Sequence, residues 1–494
     1  MKTTIGARWA RALGLLAVGA GLLAGLPSAR PAEAVSLRFA DSAFERVWTR
    51  TDALVVSRDA ARSWYWGPAP GMIVREPFAD LPGGSHLVQY FDKSRMEIND
   101  PNADRASKWF VTNGLLSVEL ISGRVQTGLT SFDQRSPAEI PLASDADDAT
   151  APTYASFLPV SNTSRGDHPA DDLTGTDVTA TIDRAGNVGS DAGRAMPATR
   201  LTHYEPKTKH NIPGVFWGFL NASGKVREPG GVVVGPLSDP WDFAVGLPIS
   251  EAYWARVKIA GVPTDVLIQA YQRRVLTYVP SNAPQWQVQM GNIGQHYYQF
   301  RYGSQSAVLS ATLDRMASAP SYHFESLFQI KSGGYTLPFA RQSGDFLAPD
   351  RVHFTQQAPD GQSEYITIGP TTYISSTTTG RRWQRAGTGS TLDLTALIGV
   401  LQYASNITSA PDETVNGVAS RHLHATLDPA ALPVFAGMSY SAAETDVYIA
   451  PNGLMTRETT SITLAPTSSQ RGLLFITADF SNYGETVHIA APLP

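Results

Sequence analysis

The chain has no cysteine. Disulfides, thiolate metal sites and a catalytic thiol are therefore excluded. So is a lipobox, whose acylated cysteine tethers a bacterial lipoprotein. Charge is sparse as well: charged residues make up 17% of the sequence, the net charge is −5 and the pI about 6.1. Such a balance argues against nucleic acid or an anionic membrane surface as the main partner. The familiar catalytic patterns are missing, with no G-x-S-x-G, no H-E-x-x-H and no S-x-x-K in a helical setting. After Leu26 no apolar run approaches the length of a membrane span.

The 494 residues, 42% of them hydrophobic, are enough for two or three domains with cores of their own. Residues 1–34 read as a secretory signal. Lys2, Arg8 and Arg11 make its start positive, Leu13 to Leu26 is apolar but too short to span a bilayer, and Ala32-Glu33-Ala34 offers a cleavage point before Val35. The expectation is a secreted, extracytoplasmic chain with no transmembrane anchor.

The stretch from Val88 to Leu116 appears twice. VQYFDKSRMEIN, a polar loop and WFVTNGLL are echoed from Ile268 to Ile293 by IQAYQRRVLTYV, a Pro/Asn loop and WQVQMGNI. Gln89 matches Gln269, Phe91 matches Tyr271, Lys93 matches Arg273 and Met96 matches Leu276. After the loop, Trp109, Val111 and Gly114 match Trp286, Val288 and Gly291. The offset is 180 residues before the loop (88 to 268) and 177 after it (109 to 286), so one structural unit is used twice around an insertion. Alternation of Val88, Tyr90 and Asp92 against Gln89, Phe91 and Lys93 predicts a half-buried antiparallel strand. On it Asp92 and Glu97, at odd spacing, fall on opposite faces, which disfavours an acid–base pair and favours surface ion pairs with Lys93 or Arg95. Tyr65-Trp66, within RSWYWGP, is either an exposed platform for sugar or peptide or a core cluster with arginine stacked on it. Asp145, Asp147 and Asp148 lack calcium-loop spacing and read as a solvated loop within an irregular insertion near 133–209. Gly218 to Lys225 imitates a phosphate loop, but its glycines are one residue too far apart.

Gly246-Leu247-Pro248-Ile249-Ser250-Glu251, the strand from Gln269 to Tyr278 and Gly291-Asn292-Ile293-Gly294 resemble repeats of exported Chloroflexota-type proteins. More distantly they are similar to the LGFP repeat of actinobacterial envelope proteins, although Tyr271-Gln272-Arg273-Arg274 stands where that repeat has Phe-Glu-Arg-Gly. The resemblance implies an envelope setting, with a cell-wall polymer or an envelope protein as partner of a β-rich region, 35–303, whose repeats lie near 44–128 and 246–302.

From Ser304 the texture changes. Val308, Leu309, Thr312, Leu313 and Met316 form one face of a helix. Strand-like runs follow at 322–330, 351–356, 364–368, 372–375, 418–427, 446–450, 454–464, 473–480 and 486–489. Leu394, Leu397, Ile398 and Leu401 make a helical stripe, and 429–438 reads as a helix or turn. His422 and His424 share a strand face but show no third metal ligand. A curved antiparallel sheet, a half-open barrel over helices, explains this order. The fold class is thus mainly β with a few helices (α+β), and 304–494 is its second domain.

Tyr322-x-Phe324, Ile366-x-Ile368-Gly369 leading through Tyr373 to Trp383, Glu413-x-Val415-x-Gly417 and the ending from Phe480 to Pro492 resemble the lipoprotein-carrier fold. That fold includes LolA-type lipoprotein chaperones and the LppX/LprG-type lipid carriers of actinobacteria. The resemblance implies a cavity between sheet and helices that holds acyl chains. The expected lining is Phe324, Phe328, Tyr365, Tyr373, Trp383, Leu397, Leu401 and Phe475, with an ordinary filled core as the alternative. No cofactor, metal or catalytic residue is expected. The leading reading is an exported binding protein for a lipid or other hydrophobic small molecule. Its competitor is a cell-wall structural, adhesion or sensor protein without a lipid ligand. An enzyme is third, and requires a cleft where titratable groups converge.

Overall fold

Each copy of the repeat folds as an antiparallel meander followed by a helix. In the computed structural model, which describes residues 38–332, 335–377, 380–386, 398–432, 440–465 and 472–492, the first copy comprises β1 (Pro70–Pro77), β2 (Ser85–Phe91), β3 (Ser94–Ile98) and helix α1 (Leu116–Ser122). The second comprises β4 (Tyr253–Ile259), β5 (Val262–Ala270), β6 (Val275–Tyr278), β7 (Val288–Met290) and α2 (Ile293–Tyr302). The expected signal at 1–34, and Leu394 and Leu397 of the expected stripe, lie outside the described residues.

The register repeats residue for residue. Gln89 pairs with Met96 as Gln269 pairs with Leu276, and Glu76 pairs with His86 as Ala255 pairs with Val266. Glu97 bridges Thr112 as Thr277 pairs with Gln289. Beyond the hairpins the copies interlock: the Gln295 amide of α2 donates to the Asp92 carbonyl, and the Val118 amide of α1 donates to the Gln272 carbonyl, each at 3.4 Å. Each helix therefore caps the hairpin turn of the other copy. Gly294 permits this approach, because a Cβ there would sit 1.9 Å from the Phe91 carbonyl oxygen. The matched apolar pairs Phe91/Tyr271, Met96/Leu276 and Val111/Val288 all enter one core together with Tyr65 and Trp66. Trp66 carries the Arg274 guanidinium 4.5 Å above its ring, which is the core reading of that aromatic run.

Three expectations for this unit need correction. Strand β2 is covered on both faces rather than one, because α2 packs on it as well as the core. Asp92 and Lys93 form the hairpin turn beyond the end of the strand. Glu97 does pair with Arg95, at 3.1 Å, but both side chains are buried and not at the surface. The acidic trio is solvated only in part: Asp147 is exposed, meeting the Lys258 ammonium at 2.7 Å, while Asp145 accepts the Ala260 and Gly261 amides and the buried Asp148 accepts the Lys258 amide. These carboxylates cap the tight turn between β4 and β5.

The chain divides into two compact units, Phe39–Ala307 and Val308–Pro494, the second of which Arg38 joins. Helix α3 (Ser304–Ser318) leads into the second, where it buries Leu309, Leu313 and Met316. Eleven strands then form a single sheet. They are β8 (Ser321–Ser332), β9 (Tyr335–Leu347), β10 (Arg351–Ala358), β11 (Gly361–Ile368), β12 (Thr371–Ser376), β13 (Gln384–Arg385), β14 (Ala404–Val415), β15 (Val418–Leu427), β16 (Tyr440–Ile449), β17 (Met455–Leu464) and β18 (Leu473–Ser481). The order is β13-β12-β11-β10-β9-β8-β18-β17-β16-β15-β14, antiparallel throughout. The sheet is curved and unclosed. Two meanders thus meet where the first strand, β8, pairs with the last, β18. The run 486–489 is not a strand, because both edges of β18 are already occupied by β8 and β17. Its Ile489 instead packs against Ile366 and Tyr373. Of the segment 429–438, Pro429–Ala431 is a short 3-10 turn and the part from 433 lies outside the described residues. No helix among the described residues is long and apolar enough to cross a membrane.

Candidate functional site

Strand parity divides the sheet of the second unit into two faces. Cross-strand partners share a face, so the row Tyr365–Phe354–Gly344–Phe324–Phe480 runs across five strands on one side. Tyr322, Phe346 and Val352 lie on this inner face, as do Phe328 and Ile476. The rings pack closely: Phe354 stacks on Tyr365 at 4.7 Å and Tyr322 on Phe346 at 4.8 Å. At one end Tyr483 lies against Tyr322 and donates from its hydroxyl to the Met455 carbonyl, with Met316 of α3 beside it.

Of the eight expected lining residues, Phe324, Phe328 and Tyr365 therefore share the inner face. Leu401 is fully buried on the 3-10 turn Leu401–Tyr403, and Leu397 lies outside the described residues. Tyr373 pairs with Ile366 and so faces the other way, where Trp383, Val487 and Ile489 join it. Phe475 pairs with Gln329 and Ser461 on that outer face too, under the Lys331 ammonium at 3.9 Å. Alternation separates these three from the others, because aromatic residues sit on both faces of neighbouring strands.

A polar belt that the sequence reading missed crosses the inner face. The Ser326 hydroxyl donates to Gln342 Oε1 at 3.3 Å and Gln342 Nε2 donates to Gln356 Oε1 at 2.9 Å. Past Ala478, the partner of Ser326, stands Glu458, only 3% exposed. Its Oε1 accepts the Thr460 hydroxyl at 2.8 Å, while its buried Oε2 has no partner. Burial pushes this carboxyl up to about 7, against the lesser pull of the Thr460 hydrogen bond. The signal was available, since in Met455–Leu464 the inward parity that places Thr460 and Ile462 also selects Glu458.

His422 and His424 both hydrogen-bond Asp446 Oδ1, at 2.9 Å each. Among the described residues no cluster of three or more histidine and acidic side chains could hold a metal ion. A cleft of about 190 Å³ where titratable groups do converge lies in the Phe39–Ala307 unit, with His86, Arg95, Glu97, Glu119 and Arg273 on its walls.

No family model matches the chain, and no curated protein matches it. Solved structures similar to it include the lipoprotein LppX of Mycobacterium tuberculosis, at 19% identity over 38% of this chain and 100% of that one, with a TM-score of 0.30. LprF from Mycobacterium bovis is similar at 16% identity over 37% of this chain and 95% of its own, with a TM-score of 0.28. A LolA-superfamily protein from Nitrosomonas europaea is similar at 8% identity over 39% of this chain and 95% of its own, with a TM-score of 0.20. The resemblance of the first unit to envelope repeats finds no counterpart in these comparisons.

Proposed function

We propose that the unit from Val308 onward binds a lipid or another hydrophobic small molecule on the inner face of its sheet, outside the cytoplasmic membrane. The Phe39–Ala307 unit docks the protein to an envelope polymer or an envelope protein. The observation that carries the ligand reading is the aromatic row from Tyr365 to Phe480, flanked on the same face by a polar belt that ends at Glu458, one of whose carboxyl oxygens has no partner. A face this apolar takes up hydrocarbon favourably. An acyl chain of roughly ten methylenes contributes on the order of 8 kcal/mol, before ordering costs, at about 0.8 kcal/mol per CH₂. Glu458 gives such a ligand a place for one hydroxyl or amide donor. Because the rings are buried, uptake requires the segments that cover the face to part.

One observation favours a second reading, a filled scaffold with no ligand: the inner rings stack on one another as in an ordinary core. Titration of the full chain with a fluorescent fatty acid separates the two. Binding is expected, weakened ~10-fold or more by Phe328→Gln on the inner face and unchanged by Phe475→Gln on the outer face. No binding, or equal loss in both variants, contradicts the proposal.

A further inference from the structure

The cleft in the Phe39–Ala307 unit sits over a buried polar network. Glu76, fully buried, accepts Arg95 Nη1 at 2.7 Å, Arg301 Nη1 at 3.2 Å and the hydroxyls of Tyr90 and Tyr302. Arg95 also reaches Glu97, whose other oxygen accepts the Thr112 hydroxyl at 3.0 Å. Asn99 links Thr112 to His86. Burying ions costs several kcal/mol each unless they are paired, and a fold that does not need them is better built from apolar residues.

The second copy of the repeat shows that the fold does not need them. In the same register Glu76, His86, Arg95, Glu97 and Asn113 are replaced by Ala255, Val266, Val275, Thr277 and Met290. All five replacements are buried. The same meander therefore forms with four apolar residues and an uncharged threonine at these positions, and the first copy keeps charged and amide groups that its architecture does not require.

Two buried atoms of the cleft residues ask for a ligand: Arg95 Nε, which has no acceptor, and an oxygen of Asn113. Asn113 is 1% exposed; its amide nitrogen donates to the Phe243 carbonyl at 3.0 Å, while its Oδ1, buried, has no donor. The charged groups around it are paired or hydrogen-bonded apart from Arg95 Nε: Arg95 and Arg301 pair with Glu76 and Glu97, Glu119 accepts the Tyr297 hydroxyl, His86 hydrogen-bonds Asn99, and Arg273 donates to the backbone carbonyls of Asp242 and Phe243. What remains to recognise a ligand is neutral and mixed in donors and acceptors: Asn113, Thr112, Asn99 and Gln126, with Phe78 and the 37% exposed Leu115 as apolar walls. A cleft of about 190 Å³ has room for a single ring.

From this geometry we infer that the cleft is a binding site for a neutral, hydroxyl-rich ligand, one sugar ring, whose hydroxyl donates to Asn113 Oδ1. Adjacent hydroxyls satisfy closely spaced donors and acceptors, and the carbon face of the ring covers the apolar wall. This site is independent of the ligand face in the other unit.

The test is calorimetric titration of the full chain with glucose and N-acetylglucosamine, and with glucuronate and succinate as anionic probes. Two variants report on the cleft. Asn113→Met installs the residue that the second copy already tolerates, and Leu115→Trp blocks the cleft without touching the network. At least one neutral sugar is expected to saturate one site, with affinity lowered ~10-fold or more in both variants while their melting temperatures stay near that of the unaltered protein. The inference is overturned if neither neutral sugar binds, if only the anions bind, or if binding persists in both variants.

Discussion

Replacing Glu76 with glutamine is expected to destabilise the Phe39–Ala307 unit by about 3–5 kcal/mol, the cost of breaking a buried ion pair from one side. The variant strips the charge that Arg95 and Arg301 share, leaving Arg95 with Glu97 as its remaining ion-pair partner and taking from Arg301 the carboxylate it pairs with. The pH dependence follows from the same contacts. Burial pushes the Glu76 carboxyl up, but the two arginines outweigh it and hold it below its ordinary value of 4.5. Its stabilisation is therefore present in full above about 4.5, and is lost as acid protonates the folded carboxylate below that. Denaturant unfolding from pH 3 to pH 7 should show the unaltered protein and Glu76→Gln converging at the acid end. A difference below about 1 kcal/mol at pH 7 would mean that the network contributes little.

Glu458 has the opposite sign. Its carboxyl is raised from 4.5 to about 7, so the folded state favours the neutral form. There is no penalty below about 4.5, where folded and unfolded carboxyls are both protonated. Between about 4.5 and 7 the unfolded carboxyl ionises while the folded one keeps its proton, so stability falls by about 3 kcal/mol across that window and levels off above it. Glu458→Gln removes that proton. It should abolish this part of the decline between pH 5 and pH 8 and leave the variant more stable than the unaltered protein at the alkaline end. Parallel pH profiles of the two proteins would contradict the burial of this group. The two units can unfold separately, so both experiments need a probe that reports each transition.

Much of the architecture was legible in the sequence, and for a physical reason. Period-two alternation is local, so strands such as 322–330 and 418–427 could be placed without knowing their neighbours. Which side of a strand is inner is a property of the whole sheet. That is why Tyr373 and Phe475 were grouped with Phe324 although their strands turn them outward. The ending at 486–489 had the composition of a strand, but both edges of the strand before it, β18, were already taken by β8 and β17. Matching Gln89 with Gln269 and Met96 with Leu276 revealed the repeat and its register. The interlocking of each helix over the other copy's turn left no trace in spacing. The polar network was hidden differently. Arg95 and Glu97 read as surface residues because charges on a strand usually are, and the packing of α2 over β2 and β3 puts them inside. Comparing the two copies position by position, rather than only at their matches, would have shown that one is charged where the other is apolar.

The account turns on whether the inner face of the eleven-stranded sheet holds hydrocarbon. Native mass spectrometry of the full chain, purified without detergent, asks this directly. The account predicts a population heavier than the polypeptide by the mass of an apolar molecule, removable by organic extraction and restored by incubation with lipid. A single species at the polypeptide mass, before extraction and after incubation with lipid alike, would contradict it.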